Sequence, residues 1–551
     1  MNRDTPRSRS ARTPSGSVNR AGIPDPLRAV FSIHAEARRR RMPVAEVAGE
    51  RAERAELGLS RRRLLAGAAA IAAATVPAAL LNPSRAAAAT APRVVVVGAG
   101  LAGLRCAHQL WNRSQPVAAT VYEADTSHVG GRCWSLRGFF AGGQVSEHGG
   151  SFISSTDTAV LSLANSLGLQ REYANGGALN SGGYAAWING ALYNSAQQQS
   201  DWTAEAFAAF SASYQAIGTP RYNSHTAEAA RLDQLSCLDY LAEIGLPASS
   251  SLGQLIQSIQ LQSGGEPAQS SALGMIGFLG ASSTFDNASG FDEKYHLVGG
   301  NDQLVSGMVG QLPAGTVKQG YQLIALARNS DGSYTCTFDH AGSTVSVPAD
   351  HVVLALPFST LRNVDLSGAG LSALKLTAIN QQGMGQNAKL VSQLTTKTWP
   401  ALGYNGVSNT GPLGYQTAWD GSVNLGAAGA PALLVNFPGG DGARNTLTGA
   451  AHGPAPTADV NGFLSQIEQV YPGTTAAWNG RAYEDHWSLD PWHLGAYHYY
   501  KVGQYTSFAG YEAVQEGRIH FAGEHTDVDN ATLNAAVASG VRVAGEITAQ
   551  I

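Results

Sequence analysis

Cysteine is scarce in this chain of 551 residues, which contains only four. They are widely separated, and no C-x-x-C pair or other metal-ligand spacing occurs among them. This pattern indicates buried thiols rather than a disulfide scaffold or a cysteine zinc site. A G-x-S-x-G motif is also absent, so nothing indicates the nucleophile elbow of a serine hydrolase. The cysteines are Cys106, Cys133, Cys237 and Cys336.

Metal ligands are not indicated by the histidines either. The fourteen histidines include His148, His486 and His493, and none has the spacing of a metal-ligating set. We therefore expect no metal site, and surface or packing roles for these side chains.

Lysine is absent from residues 1–91, which contain sixteen arginines and seven acidic residues. Positions 92–551 are left with 20 basic and 33 acidic residues, a net charge near −13. An acidic body of this kind does not favour binding to a nucleic-acid backbone. We expect no nucleic-acid partner.

The basic segment contains a candidate export signal. Arg61 and Arg62 follow Ser60 and precede a weakly apolar, alanine-rich run, which resembles a bacterial twin-arginine signal. Residues 64–81 approach the length of a membrane span, but their alanines and Pro77 make them weakly hydrophobic for an anchor. Residues 1–91 are thus predicted to be a basic arm and a removable signal. The mature protein is expected in the cell envelope or secreted, without stable membrane insertion.

A dinucleotide-binding fingerprint follows the signal directly. A β-branched run at residues 93–97 leads into G-x-G-x-x-G, a helical pattern at Leu101–Trp111, and a second strand that ends before Glu123. The glycines allow a tight turn and close backbone approach, the helix N-terminus faces the pyrophosphate, and the acid meets the ribose hydroxyls. The predicted contacts are Gly98, Gly100, Leu101, Ala102, Gly103, Glu123 and Ala124.

Further motifs occur in order along the chain. Gly130-Gly131-Arg132 is followed by Glu147-x-Gly149-Gly150, then LVGGNDQL at 297–304 and MGQNAK at 384–389. DHWSLDPWHLGAY and GRIHFAGEHT complete the series near the end of the chain. This ordered set resembles the flavin amine oxidase family.

The resemblance implies an α/β fold with a two-domain architecture, a Rossmann-type FAD-binding domain and a mixed α+β substrate domain. The FAD-binding domain would comprise residues 92–158, 291–365 and 485–551, and the substrate domain residues 159–290 and 366–484. It further implies flavin contacts at Gly131, Arg132, Gly149, Gly150, Ser151, Leu323, Gly523, Glu524, Thr532 and Leu533. Ala496 stands where some members carry a flavin-linking cysteine, so FAD is expected to be noncovalent.

Three residues are implied in catalysis by the same resemblance. Lys389 would approach flavin N5 through a water, Trp487 would pack near the flavin, and Tyr497 would form one aromatic wall around the substrate nitrogen. The second wall is absent, because Thr532 occupies the position of the family's tyrosine. No arginine follows Gly149-Gly150 in GGSFISS to meet a substrate carboxylate.

The implied function is FAD-dependent oxidation of a small-molecule amine. Hydride would pass from a C–N carbon to flavin N5, the imine would hydrolyse, and O2 would reoxidise the flavin to give H2O2. A flavin dehydrogenase or desaturase for a nonamine secondary metabolite is the first alternative, and a non-catalytic flavoprotein is the second. The oligomeric state is left open, a dimer being one option.

Overall fold

A computed structural model describes residues 91–174, 182–285, 292–423, 431–528 and 531–551. The basic arm and export signal predicted for residues 1–91 lie outside the described residues, apart from Ala91. Within the described ranges, no helix is both long and apolar enough to cross a membrane. The export signal stays a prediction.

The described residues contain 22 strands and 16 α-helices, numbered here in chain order. The strands are β1 Val94–Val97, β2 Ala119–Glu123, β3 Ser135–Leu136, β4 Ser146–Glu147, β5 Arg171–Tyr173, β6 Gly183–Ile188, β7 Ala191–Asn194, β8 Tyr295–Leu297, β9 Val317–Gln319, β10 Tyr321–Arg328, β11 Tyr334–His340, β12 Ser343–Ala349, β13 His351–Leu354, β14 Gly383–Met384, β15 Ala388–Leu394, β16 Tyr404–Thr410, β17 Thr417–Asp420, β18 Ala432–Asn436, β19 His452–Pro454, β20 Trp478–His486, β21 His498–Tyr499 and β22 Ile519–Phe521. The helices are α1 Leu101–Trp111, α2 Thr158–Ser166, α3 Ser195–Asp201, α4 Phe207–Ile217, α5 Ala227–Leu232, α6 Cys237–Glu243, α7 Ser251–Leu261, α8 Ala272–Leu279, α9 Gln303–Gln311, α10 Phe358–Leu361, α11 Ala373–Gln381, α12 Gly440–Thr446, α13 Thr457–Ile467, α14 Thr474–Ala477, α15 Gln504–Ser507 and α16 Leu533–Thr548.

A five-stranded parallel sheet positions the site. Its strand order is β22-β13-β1-β2-β9, and each neighbouring pair runs parallel. The four valines of β1 are all buried, as expected for the continuous apolar run of a strand covered on both faces. Helix α1 connects β1 to β2, and its apolar face joins α16 in one buried cluster.

The carboxyl ends of these parallel strands meet at one edge of the sheet. The chain leaves β1 at the Gly98 turn, β2 at Glu123, β13 at Ala355 and β22 at Ala522-Gly523-Glu524. In open parallel sheets, ligands bind in the crevice beyond these ends. The predicted cofactor motifs therefore converge because of strand direction, although they lie far apart in the sequence.

The other large sheet has eight strands in the order β19-β20-β15-β18-β17-β16-β6-β7. Strand β15 lies between β20 and β18, and all seven of its residues are buried. Lys389 therefore lies in the interior of the sheet, paired on both sides, and is buried. Helices α3 to α8 supply much of a separate apolar core around Trp202, Phe210 and Tyr240.

Several local predictions can be compared with these elements. The α/β fold class and the helix at Leu101–Trp111 are confirmed, and the four cysteines are buried free thiols. The second strand runs one residue later than predicted, so Glu123 is its last residue and not the one after it. The strands of the parallel sheet lie within residues 92–158, 291–365 and 485–551, while the domain boundaries themselves stay predictions.

Candidate functional site

A cavity of about 620 Å³ opens at the carboxyl edge of the parallel sheet and extends toward the eight-stranded sheet. Its volume lies within the range of cofactor and small-molecule sites. All the predicted site residues line it except Gly103, Ala124 and Leu323. The cavity thus joins the predicted dinucleotide contacts to Lys389, Trp487 and Tyr497.

The glycine turn forms one end of this cavity. Gly98 has a φ of +100°, and its N–H donates to the carbonyl of Tyr122 at 2.7 Å. A Cβ on Gly98 would lie 2.8 Å from the carbonyl oxygen of Ala355, so the turn admits no side chain. Open space surrounds Gly100 instead, where a ligand can approach the backbone at the start of α1.

Three predicted contacts do not reach the cavity. Gly103 packs helix α1 against the Gly98 turn, because any Cβ there would overlap the Gly98 carbonyl. Ala124 follows Glu123 without lining the cavity, and Leu323 is buried in β10 against the apolar cluster behind the sheet. Gly103 therefore has a packing role at the turn, and the cofactor contacts expected at Ala124 and Leu323 stay predictions.

Glu123 is fixed at the end of β2 by two backbone donors. Its Oε2 accepts from the N–H of Ala99 at 2.7 Å, and its Oε1 accepts from the N–H of Asp125 at 2.9 Å. Burial raises the pKa of this carboxyl group. The same acid therefore braces the glycine turn and faces the cavity where a ribose would lie.

Arg132 and Glu524 form a buried ion pair with His498. Arg132 Nη1 lies 3.0 Å from Glu524 Oε1 and also donates to the carbonyl of Ala496. His498 Nδ1 lies 2.7 Å from Glu524 Oε2. Burial alone would raise the pKa of Glu524, but the charges of Arg132 and His498 hold it well below its ordinary value. The resemblance implied a flavin contact for each of Arg132 and Glu524, and the structure also pairs them with each other, because a buried carboxylate needs a cation.

Lys389 holds the Gly149-Gly150 turn from strand β15. Its Nζ donates to the carbonyl of Glu147 at 3.0 Å, to the carbonyl of Gly149, and to Ser151 Oγ at 2.7 Å. Burial lowers the pKa of this ammonium group to about 8. Lys389 is thus a cationic donor that both fixes the turn and borders the cavity.

Trp487 and Tyr497 line the same cavity. Trp487 Nε1 donates to the carbonyl of His148 at 3.0 Å, which fixes the indole beside the Gly149 turn. Burial raises the pKa of Tyr497, so its hydroxyl stays protonated at neutral pH. Thr532 caps helix α16, its Oγ1 accepting from the N–H of Ala535 at 3.3 Å, and so supplies no aromatic wall.

Part of the lining was missed by the sequence analysis. Phe152 and Phe437 lie edge to face with Trp419, at centroid distances of 5.5 and 5.3 Å. Thr417 Oγ1 accepts from Gln262 Nε2 and Asn409 Nδ2, each at 3.0 Å. These residues all line the cavity and give it aromatic as well as hydrogen-bonding surface. Alternation within β17 could have indicated only Thr417 and Trp419.

A histidine–carboxylate network lies behind the Gly149 turn. Asp485 Oδ1 lies 2.6 Å from His148 Nδ1 and 2.7 Å from His452 Nδ1. His452 Nε2 lies 3.0 Å from Asp490 Oδ2, and His493 Nδ1 lies 3.1 Å from the same oxygen. The pKa of His452 is raised to about 9, because hydrogen bonds to two carboxylates outweigh its burial. His452 is therefore an imidazolium that bridges Asp485 and Asp490.

This network qualifies the expectation that no metal ligands are present. That expectation rested on spacing along the chain, but folding brings ligand atoms of His148, His452 and Asp485 within 4.8 Å of one another. Two histidines and an aspartate are residue types that can hold a metal ion. The short hydrogen bonds among them, however, already satisfy the same nitrogen and oxygen atoms when no metal is bound. We assign the cluster to charge pairing.

Comparison with known proteins agrees with this geometry. The family model described as flavin containing amine oxidoreductase matches residues 101–548. The flavin-dependent L-tryptophan oxidase of Lentzea aerocolonigenes is 28% identical over 263 residues, 46% of this chain and 52% of that protein. The L-amino-acid oxidase of Siganus canaliculatus is 24% identical over 477 residues, 84% of this chain and 86% of that protein. The chain spans about half the length of the first curated relatives it matches.

A solved structure shares the fold. Cyclohexylamine oxidase from Brevibacterium oxydans IH-35A superposes with a TM-score of 0.72 at 19% identity, covering 83% of this chain and 99% of that one. This likeness confirms the predicted two-domain α/β architecture. Because the family model extends over most of the chain, residues 101–548, and includes Lys389 and Glu524, this protein belongs to the flavin containing amine oxidoreductase family.

Proposed function

We propose that this protein is an oxidase of amines that binds FAD noncovalently and releases H2O2. One observation carries the proposal: a single cavity joins Glu123 and the glycine turn to Lys389, Trp487 and Tyr497. A cavity that combines a dinucleotide site with a partly aromatic pocket suits a cofactor that reacts directly with a small organic substrate. When bound, the flavin would accept a hydride from the substrate and pass two electrons to O2.

The residues of the cavity fit FAD. The start of α1 offers backbone N–H groups and open space at Gly100 for a pyrophosphate, and Glu123 lies where the adenosine ribose would bind. Glu524 borders the cavity beyond Arg132 and can accept hydrogen bonds from ribityl hydroxyls.

The noncovalent attachment is supported by the side chains around the site. Ala496 offers no nucleophile. Cys133 also lines the cavity, but burial raises the pKa of its thiol well above the ordinary value, and Sγ faces the carbonyl of Asn301 at 3.5 Å. A thiol held protonated is a poor nucleophile. Flavin should therefore be released intact when the protein is denatured.

The chain's own residues would prepare the amine for oxidation. Lys389 fixes the Gly149-Gly150 turn, so the backbone beside the flavin ring is held rigid. Tyr497 and Trp487 supply apolar faces that exclude water and prefer the neutral amine. With a pKa of about 8, Lys389 can exchange a proton near neutral pH through a water. Such exchange would return the proton that peroxide formation consumes.

An amino-acid substrate is less well supported than a simple amine. Among the described lining residues, Arg132 and Lys389 are the only arginine and lysine, and each has partners in the protein. A substrate carboxylate would therefore be buried without a free guanidinium or ammonium group. This arrangement favours amines that carry no carboxylate.

A second candidate is a dehydrogenase or desaturase acting on a nonamine metabolite. It is favoured by Thr532, which leaves the substrate pocket with one fewer aromatic wall than an amine cage requires.

The test is to purify the protein, identify the flavin released by acid, and measure O2 uptake and H2O2 with panels of amines, amino acids and nonamine ring compounds. FAD release with peroxide from amines supports the proposal. Turnover of nonamines with an artificial acceptor, and none of amines, would favour the alternative.

We also propose that residues 1–91 direct export by the twin-arginine route. The support is the order of Ser60, Arg61, Arg62 and the alanine-rich run. Replacing both arginines by lysine should retain the protein in the cytoplasm of a bacterial host with this pathway. The unmodified chain should be recovered outside the cytoplasm with a new N-terminus, and equal export of the two would contradict the proposal.

A further inference from the structure

A buried hydroxyl group borders the cavity from the eight-stranded sheet. Thr417 and Trp419 lie on the same face of strand β17 and line the cavity, whereas Ala418 between them packs into the apolar core of that sheet. Only 6% of the surface of Thr417 is exposed. Asn409 lies directly opposite it on strand β16, and Gln262 contacts it from the end of helix α7. The Thr417 hydroxyl group is thus built into the lining.

Both acceptor positions of this hydroxyl group are occupied. Gln262 Nε2 and Asn409 Nδ2 each donate to Thr417 Oγ1 at 3.0 Å. Asn409 Nδ2 also donates to the carbonyl of Gln416 at 3.2 Å, which fixes the orientation of its amide group. A threonine hydroxyl group has two lone pairs that accept and one hydrogen that donates. With both lone pairs in use, the hydroxyl group can form a further hydrogen bond only as a donor.

This donor has no acceptor in the part of the chain that the structure describes. No hydrogen bond there runs from Thr417 Oγ1 to a carbonyl, carboxylate or amide oxygen. A buried donor that lacks an acceptor costs free energy, and native structures satisfy such groups with a ligand or a water. Once a substrate displaces water from this part of the cavity, the acceptor must come from the substrate.

The surroundings of the donor are neutral. The two groups that bind Thr417 Oγ1 are carboxamides, and Trp419 and Phe437 supply aromatic surface beside it. The N–H of Phe437 donates to the carbonyl of Thr417 at 2.8 Å, which holds the two residues next to each other. A carboxylate would be buried here without a cation, and an ammonium group has no lone pair to accept from a hydroxyl group. A neutral oxygen fits this donor best.

We infer that Thr417 donates a hydrogen bond to a neutral oxygen of the substrate, an ether or carbonyl oxygen remote from the reacting nitrogen. Amines that carry such an oxygen would then be preferred over hydrocarbon amines of the same shape. This inference rests on the proposed amine oxidation and adds what the cavity recognises in the rest of the molecule. The reacting nitrogen would lie beside Tyr497 and Trp487, and the body of the substrate would lie against Trp419 and Phe437.

The test compares ω-alkoxyalkylamines with n-alkylamines of the same chain length, using the full flavin-loaded enzyme. Each pair differs only in one ether oxygen that replaces one CH2 group, and the position of the oxygen is varied along the chain. For the best-placed oxygen, kcat/KM of the ether should exceed that of the hydrocarbon by about 2- to 10-fold, the net effect of one neutral hydrogen bond. Thr417→Val removes the donor at nearly constant shape and should abolish or reverse this ratio. Thr417→Ser keeps a hydroxyl group and should retain it.

Thr474→Val is the matched control. The Thr474 side chain is fully buried, and its hydroxyl group donates to the carbonyl of Tyr471 at 2.6 Å, but it does not line the cavity. This variant should therefore keep the preference for the ether. Loss of the preference in Thr474→Val as well as in Thr417→Val would assign the effect to general destabilisation and overturn the inference.

The same preference can be measured without turnover. Amines with two methyl groups on the α-carbon have no hydrogen there and cannot be oxidised, so their Kd follows from the change in flavin absorbance during titration. A lower Kd for the ether, lost in Thr417→Val, supports the inference. Equal Kd values at every oxygen position, or a ratio that Thr417→Val leaves unchanged, overturns it and leaves the proposed function intact. Failure of every oxidisable amine to bleach the flavin would instead refute the proposed function, and the Kd comparison would still decide the role of Thr417.

Discussion

Replacing Glu524 by glutamine tests the charge cluster that Arg132, Glu524 and His498 form at the border of the cavity. Glutamine keeps the shape of the side chain but removes the carboxylate that Arg132 and His498 share, at 3.0 and 2.7 Å. Arg132, which is mostly buried, would be left without its counter-ion. His498 would lose the charge that raises its pKa against burial, and it would release its proton.

The expected loss of folding free energy in Glu524→Gln is a large part of a protein's total stability. Breaking a buried ion pair by removing one partner costs about 3–5 kcal/mol, against a total folding stability of about 5–15 kcal/mol. Deprotonation of His498 would recover part of this, so we expect the lower end of the range. If Glu524 also accepts hydrogen bonds from the flavin, the loss of those bonds adds about 1.5–3 kcal/mol, or about 10- to 150-fold in Kd for FAD.

Two assays separate these effects. Thermal unfolding reports the ion pair, and fluorescence titration of the apoprotein with FAD reports the cofactor contact. Glu546→Gln is the matched control, because Glu546 also pairs with an arginine and a histidine, Arg542 and His520, but does not line the cavity. It should lower the melting temperature and leave the Kd for FAD unchanged. An unaltered Kd in Glu524→Gln would refute the role of Glu524 in holding the flavin.

Three further perturbations probe the cavity and its support. Lys389→Met should slow anaerobic flavin reduction by about 10-fold or more while FAD stays bound, since one charge-assisted donor at the turn is worth about 1.5–3 kcal/mol; unchanged kinetics would remove its role. Gly149→Ala should prevent correct folding, because its Cβ would overlap the carbonyl of Arg132. Gly100→Ala should leave the stability of the apoprotein unchanged and weaken FAD binding, since open space surrounds Gly100. Far-ultraviolet circular dichroism and flavin titration distinguish the two outcomes. The pKa of His452 is raised to about 9 in the folded protein, from an unfolded value near 6.5. Its protonation therefore contributes roughly 3 kcal/mol to the free energy of unfolding below pH 6.5, and this contribution is lost as the pH rises through 9. Urea unfolding at pH 7 and pH 10 should therefore show a larger fall in stability for the wild type than for His452→Gln, and equal falls would contradict the charge assignment.

Local sequence patterns predicted the strand, glycine turn, helix and acid at the start of the parallel sheet well. The order of strand, glycine turn, helix and acid depends on residues within about thirty positions, so spacing along the chain reports their geometry. Gly98 has the positive φ that the tight turn requires, and Glu123 reaches back to Ala99. Lys389 was also identifiable, because a lysine in an apolar strand must find partners.

Pairings between distant segments could not be read in the same way. Arg132 and Glu524 are separated by 392 positions, and only the converging strand ends bring them together. The network of His148, His452 and Asp485 is also assembled by the fold, which is why chain spacing indicated no ligand cluster.

The central claim is that an amine C–H bond adjacent to nitrogen is broken as the bound flavin is reduced. The most direct measurement is anaerobic stopped-flow bleaching of the flavin absorbance by an amine and by the same amine deuterated at the α-carbon. The account predicts complete bleaching by at least one amine, several-fold slower for the deuterated substrate. Failure of every amine in the panel to bleach the flavin would contradict it.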